Sequence, residues 1–337
     1  MSSVNQPAHH RRRGPDGRPA IVRWLDDARL HRRRVARQRR LQRQVRVGAY
    51  VYAPGAIALT MLRQRAGLPP WLSLTIASGA PLAVAAALRP RSRRRYIAAG
   101  MTYMWLFKQS WELPAEDERT HRRRLHVDYP IRVDSALGGG MPPGQRLQRR
   151  LRDRESVSPL DVAVSVVYGS WFVPHVLLAY VLVRHPKFLP RAAGRLAASY
   201  HLTTPFYWFV PTAPPWWASE QAGRMDGEVH RVVRRVVCKV LDRPPPGEND
   251  EVPGNPWGSM PSDHISSAAI TARGLMEVNP ALGAIGWTYV AGAAFAVVYL
   301  GEHYVADVLA GLAVAELVHH AEPLAAPLVR WVAYALE

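Results

Sequence analysis

Cysteine is almost absent: Cys238 is the only one in 337 residues, which excludes an internal disulfide and any metal centre built from several thiolates. Acidic residues are scarce as well, 26 against 44 Lys+Arg, leaving a formal charge of +18. The imbalance is concentrated at one end. Residues 1–47 hold 14 arginines, among them Arg11, Arg12, Arg13, Arg32, Arg33, Arg34, Arg39 and Arg40, and no sustained apolar run, so this stretch reads as a disordered basic tail with no core of its own. No apolar segment occurs before about residue 48, too late and after too basic a lead for a cleaved signal peptide, so the first apolar segment is expected to stay in the protein. A basic tail suits nucleic acid or anionic lipid. The apolar segments that follow it favour the lipid surface and disfavour nucleic acid.

Those segments are 48–62, 69–88, 96–107, 159–183, 196–217, 260–278, 281–301 and 303–320. Several reach about 20 residues, enough to cross a hydrocarbon core of roughly 30 Å at about 1.5 Å per residue. The expected fold is all-α, a polytopic membrane helical bundle. Trp71, Trp105, Trp111, Trp216, Trp217 and Trp257 fall where interfaces would lie. Segment 48–62 is short and carries Pro54, and 96–107 is short too, so each is either a crossing or a re-entrant or interfacial helix. With the tail and Arg89–Arg95 inside, eight crossings place both termini in the cytoplasm and the loops 112–158 and 214–261 outside. The ten arginines of 112–158 run against that rule, although acidic neighbours offset most of their charge. The resulting organisation is a tail (1–47), N-terminal membrane segments (48–111), an extracytoplasmic loop (112–158), a catalytic transmembrane core (159–320) and an interfacial C-terminal segment (321–337). Within the core, "DRPPPGENDEVPGNPWG" (242–258) marks an irregular loop.

Two consecutive crossings return the chain to the face it left, so His264 in "MPSDH" and His303 in "YLGEHYVAD" meet at one surface although 39 positions apart. Asp307 follows His303 by one helical turn, within reach of its imidazole. "PTAPPWW" (211–217) ends a crossing at the same face. Ser262 is expected to cap the helix that starts at Asp263, leaving backbone N–H groups pointing outward as an anion site. Asp263 adds an acid near the phosphate or is simply a favourable first-turn residue. A neutral His303 held by Asp307 keeps one ring nitrogen free as a nucleophile or base, and His264 is placed to protonate a leaving alkoxide. Together these residues describe phosphoryl transfer through a phosphohistidine.

"MPSDH" followed by "YLGEHYVADVLAG" resembles the type 2 phosphatidic acid phosphatase superfamily. The "PTAPPW" stretch and the "HYxxD" pattern are most similar to its inositol phosphorylceramide synthase branch, and the similarity runs from about residue 128 to 320. The resemblance implies a six-helix phosphatase-type core, here with extra N-terminal membrane segments. It also implies His303 as nucleophile, Asp307 as its orienter, His264 as general acid, no metal or other cofactor, and an active site on the extracytoplasmic face. The implied substrate is a lipid or prenyl phosphate, and the implied location is the plasma membrane. The sequence departs from the family where an arginine usually stands six residues before the nucleophile, for that position is Val297, and the nearest basic motif is the shorter "KVLDRP", so the usual phosphate clamp is unassigned and Lys239 and Arg243 are candidate phosphate- or substrate-binding residues.

Pro214 and Trp216 are candidate substrate contacts, with interface anchoring the competing reading for the tryptophan. Residues 223–241 place Val229, Val232, Val233, Val236, Val237 and Val240 at helical spacing, with Arg231, Arg234, Arg235 and Lys239 mostly elsewhere, which reads as an amphipathic helix lying on the membrane whose basic residues either gather anionic headgroups beside the pocket as a replacement clamp or form a solvated face with no role in the chemistry. Three readings of the whole chain stay open. One is the phosphatase or head-group transferase, another a non-enzymatic lipid-phosphate carrier or flippase, and the third a zinc hydrolase using His264, His303 and Asp307 as ligands.

Overall fold

A computed structural model describes residues 20–89, 92–116, 118–153, 155–185, 187–244 and 254–335. The first nineteen residues of the expected tail lie outside that set. From Ala20, however, the chain is helical through the arginine-rich stretch and continues without a break into the first apolar segment as α1 (Ala20–Met61). The disordered-tail expectation therefore fails for residues 20–47, because Arg, Gln, Leu and Ala are good helix formers even without a buried face. Next come α2 (Pro70–Ala87) and α3 (Arg93–Glu116), packed in sequence order against one another. A polar cap follows, made of α4 (Glu118–Arg123), α5 (Asp128–Leu137) and α6 (Pro143–Leu151).

The remaining helices form the main bundle. These are α7 (Pro159–Gly169), α8 (Phe172–Arg184), α9 (Leu189–Phe209), α12 (Asp263–Val278), α13 (Pro280–Tyr299) and α14 (Val305–Ala335), with the short α10 (Pro215–Glu220) and α11 (Val232–Val240) between α9 and α12. Among the described residues there is no strand beyond isolated bridges that join His126 to Thr212 and Thr212 to Gly258. Among the described residues two helices, α2 and α13, are long and apolar enough to cross a membrane. The α7–α8 pair, bent by 43°, passes the same test as one broken span. Eight such crossings were expected, and fewer pass because the other helices mix apolar with polar or charged side chains or are too short.

Helix α12 sits at the centre, in contact with α8, α9, α13 and α14. Its buried face alternates Ile265, Ile270 and Leu275 with Ser266, Ser267, Ala268, Ala269, Ala272 and Gly274, small residues that let helices approach closely where lipid supplies no hydrophobic drive. Gly311 of α14 makes one such close contact, since a Cβ there would lie 2.5 Å from the Ser262 carbonyl. At the opposite end of the bundle, buried Arg195 of α9 pairs with Glu277 of α12 at 2.5 Å and with Glu322 of α14, tying three helices together.

Three boundaries differ from the sequence reading. Segment 196–217 ends as helix at Phe209, because Pro211, Pro214 and Pro215 break the repeat and leave an extended strap. Residues 321–335 are a direct continuation of α14, with no separate interfacial piece. Of the amphipathic stretch 223–241 only Val232–Val240 is an α-helix. Part of its apolar side is packed internally, where Val232 and Val236 join a cluster with Val164, Ala296, Tyr299 and Leu300, while Val237 and Val240 stay exposed.

Candidate active site

The turn between α13 and α14 carries the candidate residue His303 and leads into Asp307. Gly301, at φ +74°, supplies the left-handed residue that reverses the chain after α13, and its neighbours leave no room for a side chain. The Glu302 and His303 amides then both donate to the Val297 carbonyl. Val297 is fully packed inside the bundle, so its side chain takes no part in holding an anion. His303 emerges from this turn into a cavity of about 550 Å³, with its ring at 5.6 Å between centroids from that of His264.

Asp307, wholly buried on the first turn of α14, holds His303. Its Oδ2 lies 3.3 Å from His303 Nδ1, accepts the Tyr304 amide at 2.9 Å and accepts the Ser259 hydroxyl. Several contacts on one carboxylate oxygen fix it in place, and because Asp307 engages Nδ1, the other ring nitrogen, Nε2, is the one not held by that contact. His264 is clamped differently, between the rings of Tyr168 at 4.7 Å and Trp171 at 5.3 Å. Trp171 is itself anchored by its Nε1–H to Ser267 Oγ at 2.9 Å.

Pro214, Trp216 and Asp263 also line the cavity. Asp263 is buried beside the hydroxyls of Thr203 and Tyr207. Those hydroxyls bond backbone carbonyls, Thr203 those of Ser199 and Tyr200, Tyr207 that of Pro261. Ser262 stands at the N-cap of α12, but its side chain makes no capping bond. Its amide instead donates to the Asp307 carbonyl at 3.1 Å, locking the α12 start to α14. Lys239 and Arg243 are not among the lining residues. Lys239 reaches the Val157 carbonyl at 3.3 Å, and Arg243 follows α11 on the exterior.

Arg231, which the sequence places beside Arg234, Arg235 and Lys239 without singling it out, lines the same cavity as His303. Its guanidinium lies over Trp216, 4.6 Å from the ring centroid, and its Nε donates to Glu302 Oε1 at 2.8 Å. Glu302 is the residue directly before the histidine. The backbone leading to Arg231 is pinned by Gln148 of α6, which bonds both the amide and the carbonyl of His230 and also reaches the Tyr299 carbonyl at 2.8 Å. Val232 donates to the Leu300 carbonyl at 3.3 Å. The arginine is therefore held against the α13–α14 turn from both sides.

A second residue that the sequence does not single out lies outside the cavity. Asp134 of α5 is buried, and its Oδ1 accepts the Ala306 amide at 3.0 Å. It thus caps the helix of Asp307 from another element. Burial raises its carboxyl to about 6, the nearby Asp307 charge adding to the shift and the Ala306 bond opposing it. The cap is tied to the strap as well, through Tyr129 Oη at 3.0 Å from Thr212 Oγ1. Among the described residues no group of three or more His, Cys, Asp or Glu side chains converges as metal ligands, so His264, His303 and Asp307 do not form a zinc-type cluster.

The model of the PAP2 superfamily matches residues 131–321, more than half of the chain. No curated protein and no solved structure matches significantly.

Proposed function

The chain belongs to the PAP2 superfamily, whose members are typically phosphatases, and from that premise we propose that it is a membrane-embedded phosphoryl-transfer enzyme acting on a lipid or prenyl phosphate through a phosphohistidine. The observation that carries the proposal is the arrangement of His303, held through Nδ1 by Asp307, beside His264 and Arg231 in one cavity.

In this reading the phosphate enters against Arg231, whose planar fork suits phosphate oxygens. Glu302 gives up part of the guanidinium as the anion arrives. His303 Nε2 attacks phosphorus, the P–O bond to the leaving group breaks, and His264 delivers the proton to the departing oxygen. Asp307 stabilises the positive charge that develops on the His303 ring. In the second half-reaction an oxygen nucleophile gives its proton to His264 and attacks phosphorus, breaking the P–N bond and freeing His303. Water as nucleophile makes the protein a phosphatase. An alcohol makes it a head-group transferase, the reading that the similarity to the inositol phosphorylceramide synthase branch favours. Ser262, Asp263, Pro214 and Trp216 are assigned to the substrate side of the site. The same proposal puts the site on the extracytoplasmic face of the plasma membrane.

The test uses purified protein with ³²P-labelled phosphatidate and labelled phosphodiester lipids, with and without added alcohol acceptors, followed by thin-layer separation and acid-labile trapping of label on the protein. Label that is lost in His303→Ala supports the reading. Turnover that survives in His303→Ala overturns it.

A further inference from the structure

The cavity extends well beyond what the two histidines and Arg231 need, and its far wall lies outside the family-matched residues. That wall is α3, through Met101, Met104, Trp105 and Phe107. The helix is bolted to the bundle: Tyr103 Oη donates to the Ala197 carbonyl at 2.9 Å, Trp208 Nε1 donates to the Ser110 carbonyl at 2.8 Å, and Phe107 stacks on Tyr200 at 4.1 Å. Trp105 Nε1 reaches Thr60 of α1 at 3.1 Å. The opposite flank is the break between α7 and α8, where Trp171 and Phe172 line the same cavity.

At the edges of this space Met101 is 70% exposed and Phe172 59% exposed, although both also line the interior. In a bundle that crosses a membrane, exposed apolar side chains of this kind face hydrocarbon. The cavity thus has a sideways apolar mouth between α3 and the start of α8, and charged groups sit at its other parts, Arg231 with Glu302 and Lys108 with Glu112.

We propose that the slot between α3 and the α7–α8 break is the subsite for the hydrocarbon chain of the phosphorylated substrate, and that α3 sets which chains are accepted. The proposal rests on the phosphoryl-transfer reading given above. A chain that moves from bilayer to slot exchanges one apolar environment for another, so burial alone yields little selectivity. Fit does the selecting. Met101 and Met104, unbranched and adaptable, leave the slot wide enough for a long flexible chain, and a bulky replacement there narrows it.

The full chain in nanodiscs is irradiated with a non-hydrolysable long-chain alkyl phosphonate carrying a diazirine midway along the chain, and the adducts are mapped by mass spectrometry. An alkyl alcohol with the same diazirine reports ordinary lipid contact. The expected result is phosphonate-specific labelling within residues 101–107 and at Phe172, competed by unlabelled phosphonate. Phosphonate adducts distributed like those of the alcohol overturn the subsite. As a second measure, the double variant Met101→Trp, Met104→Trp is assayed with hexadecyl and hexyl phosphate, and the ratio of kcat/KM for the long over the short chain should fall about tenfold or more. Because it is a ratio, a loss of folded protein cancels. A ratio within about twofold of the parent's overturns the subsite while the chemistry stands. Absence of turnover with both phosphates in the parent protein, with no label trapped on His303, overturns the phosphoryl-transfer reading and the subsite together.

Discussion

Arg231 and Glu302 form a salt bridge, Nε to Oε1 at 2.8 Å, one residue before the histidine that faces the same cavity. The pair gives the site a cation without a net positive charge, and the guanidinium stays oriented over Trp216 until an anion competes for it. Arg231→Ala should therefore lower kcat/KM on a phosphate substrate by about ten- to a hundredfold, the range of a lost charge-assisted hydrogen bond. Glu302→Gln removes the competing carboxylate and should lower KM. Steady-state kinetics with phosphatidate check both directions, and a kcat/KM for Arg231→Ala within about twofold of the parent's would remove the arginine from the site.

His303→Ala and Asp307→Asn should both reduce turnover by several orders of magnitude while the protein still elutes as a folded species. In the proposed mechanism the two residues act as one unit, since the amide in Asp307→Asn keeps the size of the side chain but loses the charge that would support the imidazolium. His264→Ala should cost about 10²- to 10⁴-fold, the usual worth of a positioned general acid, and least with a good leaving group such as p-nitrophenolate, which departs without a proton. Equal losses for good and poor leaving groups would show that His264 does not supply that proton.

How much of this site could be read from sequence depends on the kind of contact. His264, His303 and Asp307 were legible because a return crossing and a one-turn spacing are periodic facts, and periodicity survives in one dimension. Arg231 was not, because what separates it from Arg234, Arg235 and Lys239 is a loop held by Gln148, 83 positions earlier, and a turn fixed by Gly301. Asp134 was hidden in the same way, meeting Ala306 across 172 positions. The apolar windows located the helices of the bundle, and among the described residues α2, α13 and the bent α7–α8 pair are long and apolar enough to cross a membrane. The windows missed that the arginine-rich stretch from Ala20 is helical, since hydropathy measures burial and not backbone preference.

Asp134 should make stability depend on pH in a definite direction. Its carboxyl is raised from the usual value near 3.8 to about 6 in the folded chain, so the native state binds the proton more tightly than the unfolded state does. The resulting stabilisation is fully present below about pH 4 and is lost as the pH rises through about 6. Wild type should therefore lose part of its Tm between pH 4 and 7 that Asp134→Asn does not lose. Tryptophan fluorescence melts in detergent across that range compare the two. Parallel curves for the two proteins would show that the carboxyl titrates elsewhere. Asp134→Ala, which also removes the acceptor for the Ala306 amide, should cost about 1 kcal/mol more as a lost helix cap.

Sidedness joins the bundle to the chemistry. Arg63 of the α1–α2 turn meets Glu112 near the end of α3 at 3.4 Å, and Glu112 lines the cavity. The α1–α2 turn and the mouth of the site therefore share one face, while the Arg195, Glu277 and Glu322 network marks the other. Asn249, in the long loop, lies outside the described residues, so Gln221, exposed just after α10, is the better probe. In a Cys238→Ser background, Gln221→Cys should react with a membrane-impermeant maleimide in intact cells. Arg93→Cys, exposed at the start of α3, should react only after the membrane is opened. The reversed pattern would put the cavity in the cytoplasm, so that the substrate phosphate is presented in the inner leaflet. Because the contacts of His303 with Asp307 and Arg231 with Glu302 are internal to the bundle, that outcome would move the site across the membrane and leave its proposed chemistry as it stands.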